Sequence, residues 1–346
     1  MYRLVAPFTL HIYKSCVTCR RVVFLLPCVV LLVLLAVSLH LNLLPSSFTL
    51  LVTRHHDTTC SDVPQSAHNA LDFRSADSQP QFLIEEPDFC RKRPNLSIVA
   101  YVHSSISSVM KRMETRTTWA SVGVHDEGVK MGVVFMVGQA KNSYESKIIR
   151  DESRRFGDIV QGNYTDAYHL LSHKALASLQ WVLKHCPHVP WTLHADDDIL
   201  IDTFFLNKFL KHNATTDSFI CYNWKSSKIR RDGRWCVRSE EFPDLNYPSY
   251  CAGGAWVIAT HLGSRLLHAV KTARFLWVDD VYITGVLAQP AGVGRSMKHN
   301  KYFRLEGIDE KELGDKIFWF EPNKPRMTWW LKLLTHYKHF FTVFPS

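Results

Sequence analysis

A helix-patterned segment caught between two strand-like runs is the strongest constraint on what this chain can fold into. Within residues 166–185, Ala167, Leu170, Leu171, Ala175, Leu179, Val182 and Leu183 recur at helical spacing. Thr165 or Asp166 is placed to cap its start, and Pro187 helps stop it. Before it, "DIVQGN" (158–163) reads as a short strand; after it, "VPWTLHA" (189–195) reads as another. Two earlier runs, "LSIVAYVHS" (96–104) and "MGVVFMVG" (131–138), are also rich in β-forming residues. Strands alternating with helices predict an α/β fold whose mostly parallel sheet carries helices on both faces. Ligands of such sheets gather outside the carboxyl ends of the strands.

The formal charge of +9 invites a nucleic-acid reading until its distribution is followed. Residues 1–56 hold Arg3, Lys14, Arg20, Arg21 and Arg54 and no acidic residue. Without those five, the 41 basic residues fall to 36 against 32 acidic ones. No dense basic stripe remains, so nucleic acid is not an expected partner. The basic start instead flanks "VVFLLPCVVLLVLLAVSLHL" (22–41), an uncharged run close to the ~20 residues that cross a bilayer. Positive charge on its N-terminal side predicts a cytosolic tail (1–21), a signal anchor (22–44) and translocation of everything beyond it. A cleaved signal peptide is the competing reading. Against it stand the length of the run and the lack of a small-x-small cleavage site.

Three N-glycosylation sequons, at Asn95, Asn163 and Asn213, all lie beyond the anchor. So do six of the nine cysteines, an even number suited to disulfides whose pairing the sequence does not give. Cys16 and Cys19 form a CxxC without the second pair a zinc site needs. Residues 45–92 lack periodic apolar content and read as a stem, leaving 93–346 as a luminal domain.

"WTLHADDDILID" (191–202) places three carboxylates directly after a predicted strand. Consecutive aspartates there suit a hard divalent cation, which prefers oxygen ligands. On the triplet alone, a cation site and a solvated or helix-capping turn fit equally well. The regular alternation and glycine of a calcium loop are missing.

The triplet has companions in a fixed order: "RMETRTTW" (112–119), "FMVG" (135–138), "ESRRFGDIVQGNYTDAYHLLSHKAL" (152–176), "YPSYCAGGAWVIA" (247–259) and "VDDVYITGVLA" (278–288). In order and spacing these blocks resemble the β-1,3-galactosyltransferase family of inverting hexosyltransferases, over residues 96–303. The resemblance implies a GT-A type nucleotide-sugar-binding fold behind a single N-terminal transmembrane helix, in the Golgi membrane. It implies transfer of a hexose, galactose first, from a UDP-sugar to a hydroxyl of a glycan on protein or lipid, in β-1,3 linkage. Mn²⁺ would sit on the diphosphate, held by Asp198 with Asp196, and a late histidine falls at His299. Asp196 and Asp197 would also meet the nucleotide, with Arg112, Arg116 and Trp119 near the uridine. Asp279 and Asp280 match the family's acidic pair, Asp280 as general base. Gly253 and Trp256 fall beside the donor sugar and acceptor.

The chemistry of those residue types agrees. An inverting displacement needs one base for the acceptor proton and charge stabilisation for the departing phosphate. Its transition state is oxocarbenium-like.

Several positions depart from the family pattern. Thr115 replaces an aliphatic residue, Asp279 a glutamate, Ala195 a larger residue and Trp256 a tyrosine. Transfer of N-acetylglucosamine or N-acetylgalactosamine therefore stays open, as does an inactive sugar-binding relative. A homodimer is compatible with the sequence. The aromatic tail after residue 317 has no family counterpart and is expected as a helix docking on the body or the bilayer surface.

Overall fold

A computed structural model describes Cys60 and residues 81–343, apart from 126–127 and 321. The expected cytosolic tail, the 22–44 anchor and most of the stem lie outside the described residues. Among the described residues no helix is long and apolar enough to cross a membrane.

The body is an eight-stranded mixed sheet. Its strands are β1 (Phe82–Ile84), β2 (Ile98–His103), β3 (Met131–Val137), β4 (Ile159–Gly162), β5 (Trp191–Asp196), β7 (Ser218–Trp224), β8 (Tyr250–Ala259) and β9 (Gly294–Arg295), in spatial order β1-β4-β3-β2-β5-β8-β7-β9. The four predicted runs form the parallel centre, β4-β3-β2-β5. β8 runs antiparallel to both β5 and β7, and β1 runs antiparallel to β4. The sheet is thus parallel at its centre and mixed at its flanks. β1 lies inside the segment expected as a stem; the body begins earlier than residue 93.

β2 is buried along its whole length, as a central strand covered on both faces must be. Helices α1 (Val109–Thr117) and α2 (Ser143–Phe156) follow β2 and β3. α2 is capped at both ends by its own sequence. The Asn142 side chain accepts from the Glu145 amide, and Gly157 closes the helix in the left-handed region at φ 61°.

The segment that opened the sequence reading becomes α3 (Leu171–His185), preceded by a 3₁₀ turn, Tyr168–Leu170. Ten of its fifteen residues are buried. Asp166 does not cap it: its carboxylate accepts from the Gly138 amide at 3.0 Å and from Lys174 Nζ at 2.6 Å. The nearby ammonium and a strand-end amide outcompete the helix for it.

A second, three-stranded sheet joins β6 (Leu200–Ile201), β10 (Phe303–Arg304) and β11 (Phe318–Trp319). Between and after these lie α4 (Thr203–His212) and α5 (Leu262–Ala269). α6 (Asp279–Val281) runs on into a π-helical segment, Tyr282–Leu287. The aromatic tail is α7 (Arg326–Val343), which docks on the body by burying Trp329, Trp330 and Leu333. All six described cysteines pair, as Cys60–Cys236, Cys90–Cys186 and Cys221–Cys251. Such complete pairing belongs to chains that fold in an oxidising compartment.

Candidate active site

β2 has β3 on one side and β5 on the other, while the chain visits β3 and β4 before returning to β5. Loops leaving β2 and β5 therefore diverge, and a crevice opens between them at the carboxyl ends. A cavity of about 380 Å³ occupies that crevice. It is lined by residues after β2 (Ser104, Ser105), after β4 (Asp166, Tyr168), and by Asp196 and Asp197 at the end of β5. This volume falls in the range of small-molecule sites.

The triplet's three side chains are not equivalent. Asp197 is buried, and accepts from Ser104 Oγ at 2.8 Å and Lys111 Nζ at 3.1 Å. Asp198 points outward with 59% of its side chain exposed, and shares the Lys111 ammonium at 3.1 Å. Lys111 is held in the charged state by these two carboxylates against the partial burial that opposes it. Asp196 sits deep in the crevice yet remains 47% exposed to water. Enclosure by protein, then the like charges of Asp279, Asp198, Asp197 and Asp280, push its carboxyl up. Contact with water moderates that shift. The two acidic motifs converge here: Asp196 lies 3.9 Å from His194 and Asp279 3.9 Å from His103, the two rings being 4.5 Å apart.

Asp279 and Asp280 form the first turn of α6. Asp280 Oδ1 accepts from the Val281 amide at 2.7 Å. Neither residue is the N-cap, which is Val278 and has no side-chain cap bond. Burial raises both carboxyls. Repulsion by Asp279 adds to the rise at Asp280, while Lys174 partly offsets it at Asp279. Thr284 fixes the height of this turn against β8: its hydroxyl donates to the Asp280 carbonyl at 2.5 Å and accepts from the Cys251 amide at 2.8 Å. Gly253 lets β8 approach the carboxylate closely, since a Cβ there would lie 3.1 Å from Asp280 Oδ2. Gly254 is packed as closely, by Phe320 and Ile199. Neither glycine has positive φ.

The other expected residues take different places. Arg112 is wholly buried behind the crevice. Its guanidinium is bound bidentately by Glu152, at 2.8 and 2.6 Å, and donates to Ser104 Oγ and to the carbonyls of Ser105 and Ile106. Arg116 grips Asp158 at 2.7 Å through two nitrogens and lies over the Phe135 and Phe156 rings. Trp119 is buried in the core. These three side chains, expected at the nucleotide, hold the loop after β2 and the α1–α2 packing from behind. Trp256, expected beside the sugars, is also buried, stacked 3.7 Å from His194. His299, expected at the metal, packs edge-on against Phe209 of α4 and toward the Phe219 backbone of β7. Among the described residues it pairs with no carboxylate, because its 3₁₀ turn packs on β7 at the flank of the sheet.

Sequence reasoning missed an aromatic lip. Trp235 donates to Tyr168 Oη at 2.6 Å, Arg234 lies over the Tyr168 ring at 4.3 Å, and Trp235 keeps 43% exposure. Asp279 and Asp280 are close enough to help raise the Tyr168 hydroxyl, after burial. No motif or periodicity marks these residues; only an unusual density of arginine and tryptophan in "RRDGRW" could have drawn attention to them.

Residues 110–299 match the sequence family described as Galactosyltransferase. The chain belongs to that family. Among curated members, human beta-1,3-galactosyltransferase 2 is 27% identical over 218 residues, covering 60% of this chain and 51% of that protein. Human beta-1,3-galactosyltransferase 5 is 29% identical over 197 residues, covering 56% and 63%. This family member therefore spans about half the length of the first of them. Among solved structures, a bifunctional glycosyltransferase, WbbM, aligns at a TM-score of 0.36 with 8% identity, over 70% of this chain and 45% of its own. A glycosyltransferase involved in the glycosylation of the major capsid of PBCV-1 aligns at a TM-score of 0.34 with 12% identity, over 70% of this chain and 98% of its own.

Proposed function

We propose that this protein is an inverting hexosyltransferase of the GT-A type, moving galactose from a UDP-sugar to a glycan hydroxyl in β-1,3 linkage. The observation that carries the reading is the convergence of two distant acidic motifs, Asp196–Asp198 and Asp279–Asp280, at the carboxyl edge of one parallel sheet.

The triplet has the donor chemistry for Mn²⁺ or Mg²⁺. Burial and the surrounding carboxylates raise Asp196, and the Lys111 ammonium bridges Asp197 and Asp198. Asp198, the outermost, and Asp196 would hold the ion, which when bound would neutralise the diphosphate and favour its departure. Asp197 stays behind as the strut that ties Ser104 to Lys111. Asp280 takes the acceptor proton: its raised carboxyl makes it a stronger base than an ordinary aspartate. Thr284 and Gly253 hold it at the crevice edge. Tyr168 and Trp235 offer ring faces on which an acceptor sugar can stack, with Arg234 donating to its hydroxyls. The family's named members support galactose as the sugar and β-1,3 as the linkage. The 22–44 segment, the sequons and the pairing of all six described cysteines support a type II anchor and Golgi residence.

The test is transfer from UDP-galactose to a panel of sugar acceptors by the full-length chain with Mn²⁺. Asp280→Asn is expected to lower kcat by ~10²–10⁴-fold while leaving UDP affinity within a few-fold. Unchanged kcat in that variant would remove Asp280 from the mechanism. Absence of transfer from any UDP-hexose by the folded wild-type protein would refute the activity.

A further inference from the structure

Beneath the catalytic turn lies a cluster that the proposed transfer reaction does not use. His103 ends β2 and His194 lies on the neighbouring β5, and both rings are buried on the face covered by α3 and α6. Their ring centroids are 4.5 Å apart, and His194 is stacked from the other side by Trp256. Among the described residues, His103, His194 and Asp279 are the one group of three His, Cys, Asp or Glu residues whose donor atoms come within 4.8 Å of one another.

Hydrogen bonding fixes which nitrogens are bare. Ser178 Oγ gives its proton to the Lys174 carbonyl at 2.7 Å, so toward His103 Nε2, 3.4 Å away, it can only accept. The His103 proton therefore belongs on Nε2, and Nδ1 carries a lone pair. That Nδ1 is buried, has no hydrogen-bond partner, and faces Asp279 Oδ2 at 3.9 Å. His194 repeats the pattern. Its Nε2 lies 3.2 Å from the Gly253 carbonyl, an obligate acceptor, and its Nδ1 is buried without a partner. Two buried imidazoles thus carry unshared lone pairs in a group whose donor atoms, a carboxylate oxygen included, come within 4.8 Å of one another. An uncompensated polar atom in such a place loses its hydration with nothing in return. Unshared lone pairs this close to a carboxylate call for positive charge.

We propose that His103, His194 and Asp279 bind a transition-metal ion, Zn²⁺ above all, as a structural centre separate from the cation at the triplet. Two imidazoles and one carboxylate select zinc over the hard cations that favour all-oxygen sites. The outer contacts are those of ligating histidines, whose second nitrogen donates to a carbonyl or hydroxyl. Closing the donor gaps, 3.9 Å for His103–Asp279 and none above 4.8 Å, to the ~3.4 Å of tetrahedral donors takes side-chain movements of about 1 Å. A water would take the fourth position; Asp196, 3.9 Å from the protonated Nε2 of His194, stays with the triplet cation. The nearest fixed cation, Lys174, is already paired with Asp166 at 2.6 Å. Bound there, the ion pins the first turn of α6 to β2 and β5, and so fixes Asp280 beside Gly253.

The experiment is metal analysis of the purified full-length chain, which needs no transfer activity and so fails or succeeds independently of it. After dialysis against a weak chelator, wild type is expected to keep one zinc per chain. Its Co²⁺-substituted form is expected to show the ligand-field absorption and nitrogen hyperfine couplings of imidazole ligands. His103→Ala and His194→Ala are each expected to lose at least tenfold in zinc affinity, while Asp198→Ala keeps it. Wild type that retains no zinc would overturn the proposal, with a proton on Asp279 filling the gap instead. Zinc retained equally by folded His103→Ala and His194→Ala would overturn it too. If both histidine variants fail to fold, the wild-type Co²⁺ spectrum decides: nitrogen couplings from two imidazoles support the centre, and their absence refutes it.

Discussion

Replacing Arg326 with alanine should destabilise the body by more than any single aspartate change in the crevice. Arg326 opens α7 and is buried, with 4% exposure. Its guanidinium donates to Glu114 through Nε at 3.0 Å and Nη2 at 2.8 Å. The remaining hydrogens reach Thr115 Oγ1 at 3.0 Å and the carbonyls of Ile199 at 3.2 Å and Lys111 at 3.1 Å. Truncation leaves Glu114 facing a vacated cation site, at a cost of about 3 kcal/mol, the low end for a buried pair because water can reach that carboxylate. The stranded Thr115 hydroxyl and Ile199 carbonyl add about 1 kcal/mol together. A total of about 4 kcal/mol corresponds to a fall of about 8 °C in Tm for a domain of this size. Differential scanning calorimetry at one fixed scan rate, with disulfides intact, measures it. Arg326→Lys should recover less than half, because an ammonium cannot reproduce the planar fork. A double-mutant cycle with Glu114→Gln should give a coupling of about 2 kcal/mol. A loss below about 1 kcal/mol, or strict additivity in the cycle, would falsify the assignment of Arg326 as the clamp between α1, α7 and the strand after the triplet.

Two further outcomes are expected. Burial raises the Asp202 carboxyl to about 7, against bonds from the Phe205 amide and Tyr337 Oη that lower it. Because the folded value exceeds the unfolded one, this contribution is complete below about pH 4 and disappears as pH rises through 7, a loss on the order of 4 kcal/mol. Asp202→Asn, which can still cap α4, should flatten that part of the Tm–pH curve; an unchanged slope would remove Asp202 as its source. Among the sequons, Asn95 and Asn213 are exposed, whereas the Asn163 side chain is held by Gln139 at 2.6 Å and Gln81 at 3.3 Å. Glycopeptide mass spectrometry should therefore find Asn163 the least occupied, and full occupancy there would contradict a folded-state restriction on modification.

The sequence by itself determined the parallel centre of the sheet. "LSIVAYVHS", "MGVVFMVG", "DIVQGN" and "VPWTLHA" become β2, β3, β4 and β5 because a strand buried on both faces must be apolar throughout, and that shows in one dimension. α3 was legible for the same kind of reason, since helical spacing is a local property. The acidic motifs were legible as residues, and their order carried the family. Tertiary structure alone decided which charges meet. Arg112 and Arg116 look like ligands in a motif, but Glu152 and Asp158 reach them first across the α1–α2 interface. His299 was placed by order in the chain, and its turn folds onto α4 instead. His103 and His194 carry no signal in sequence; registered strands bring them together, because β2 and β5 pair Tyr101 with His194 and His103 with Asp196. Thr115 joins Arg326 across the fold by the same logic. Periodicity reports what a segment buries, while pairing of charges depends on distances between segments, which only the packed chain sets.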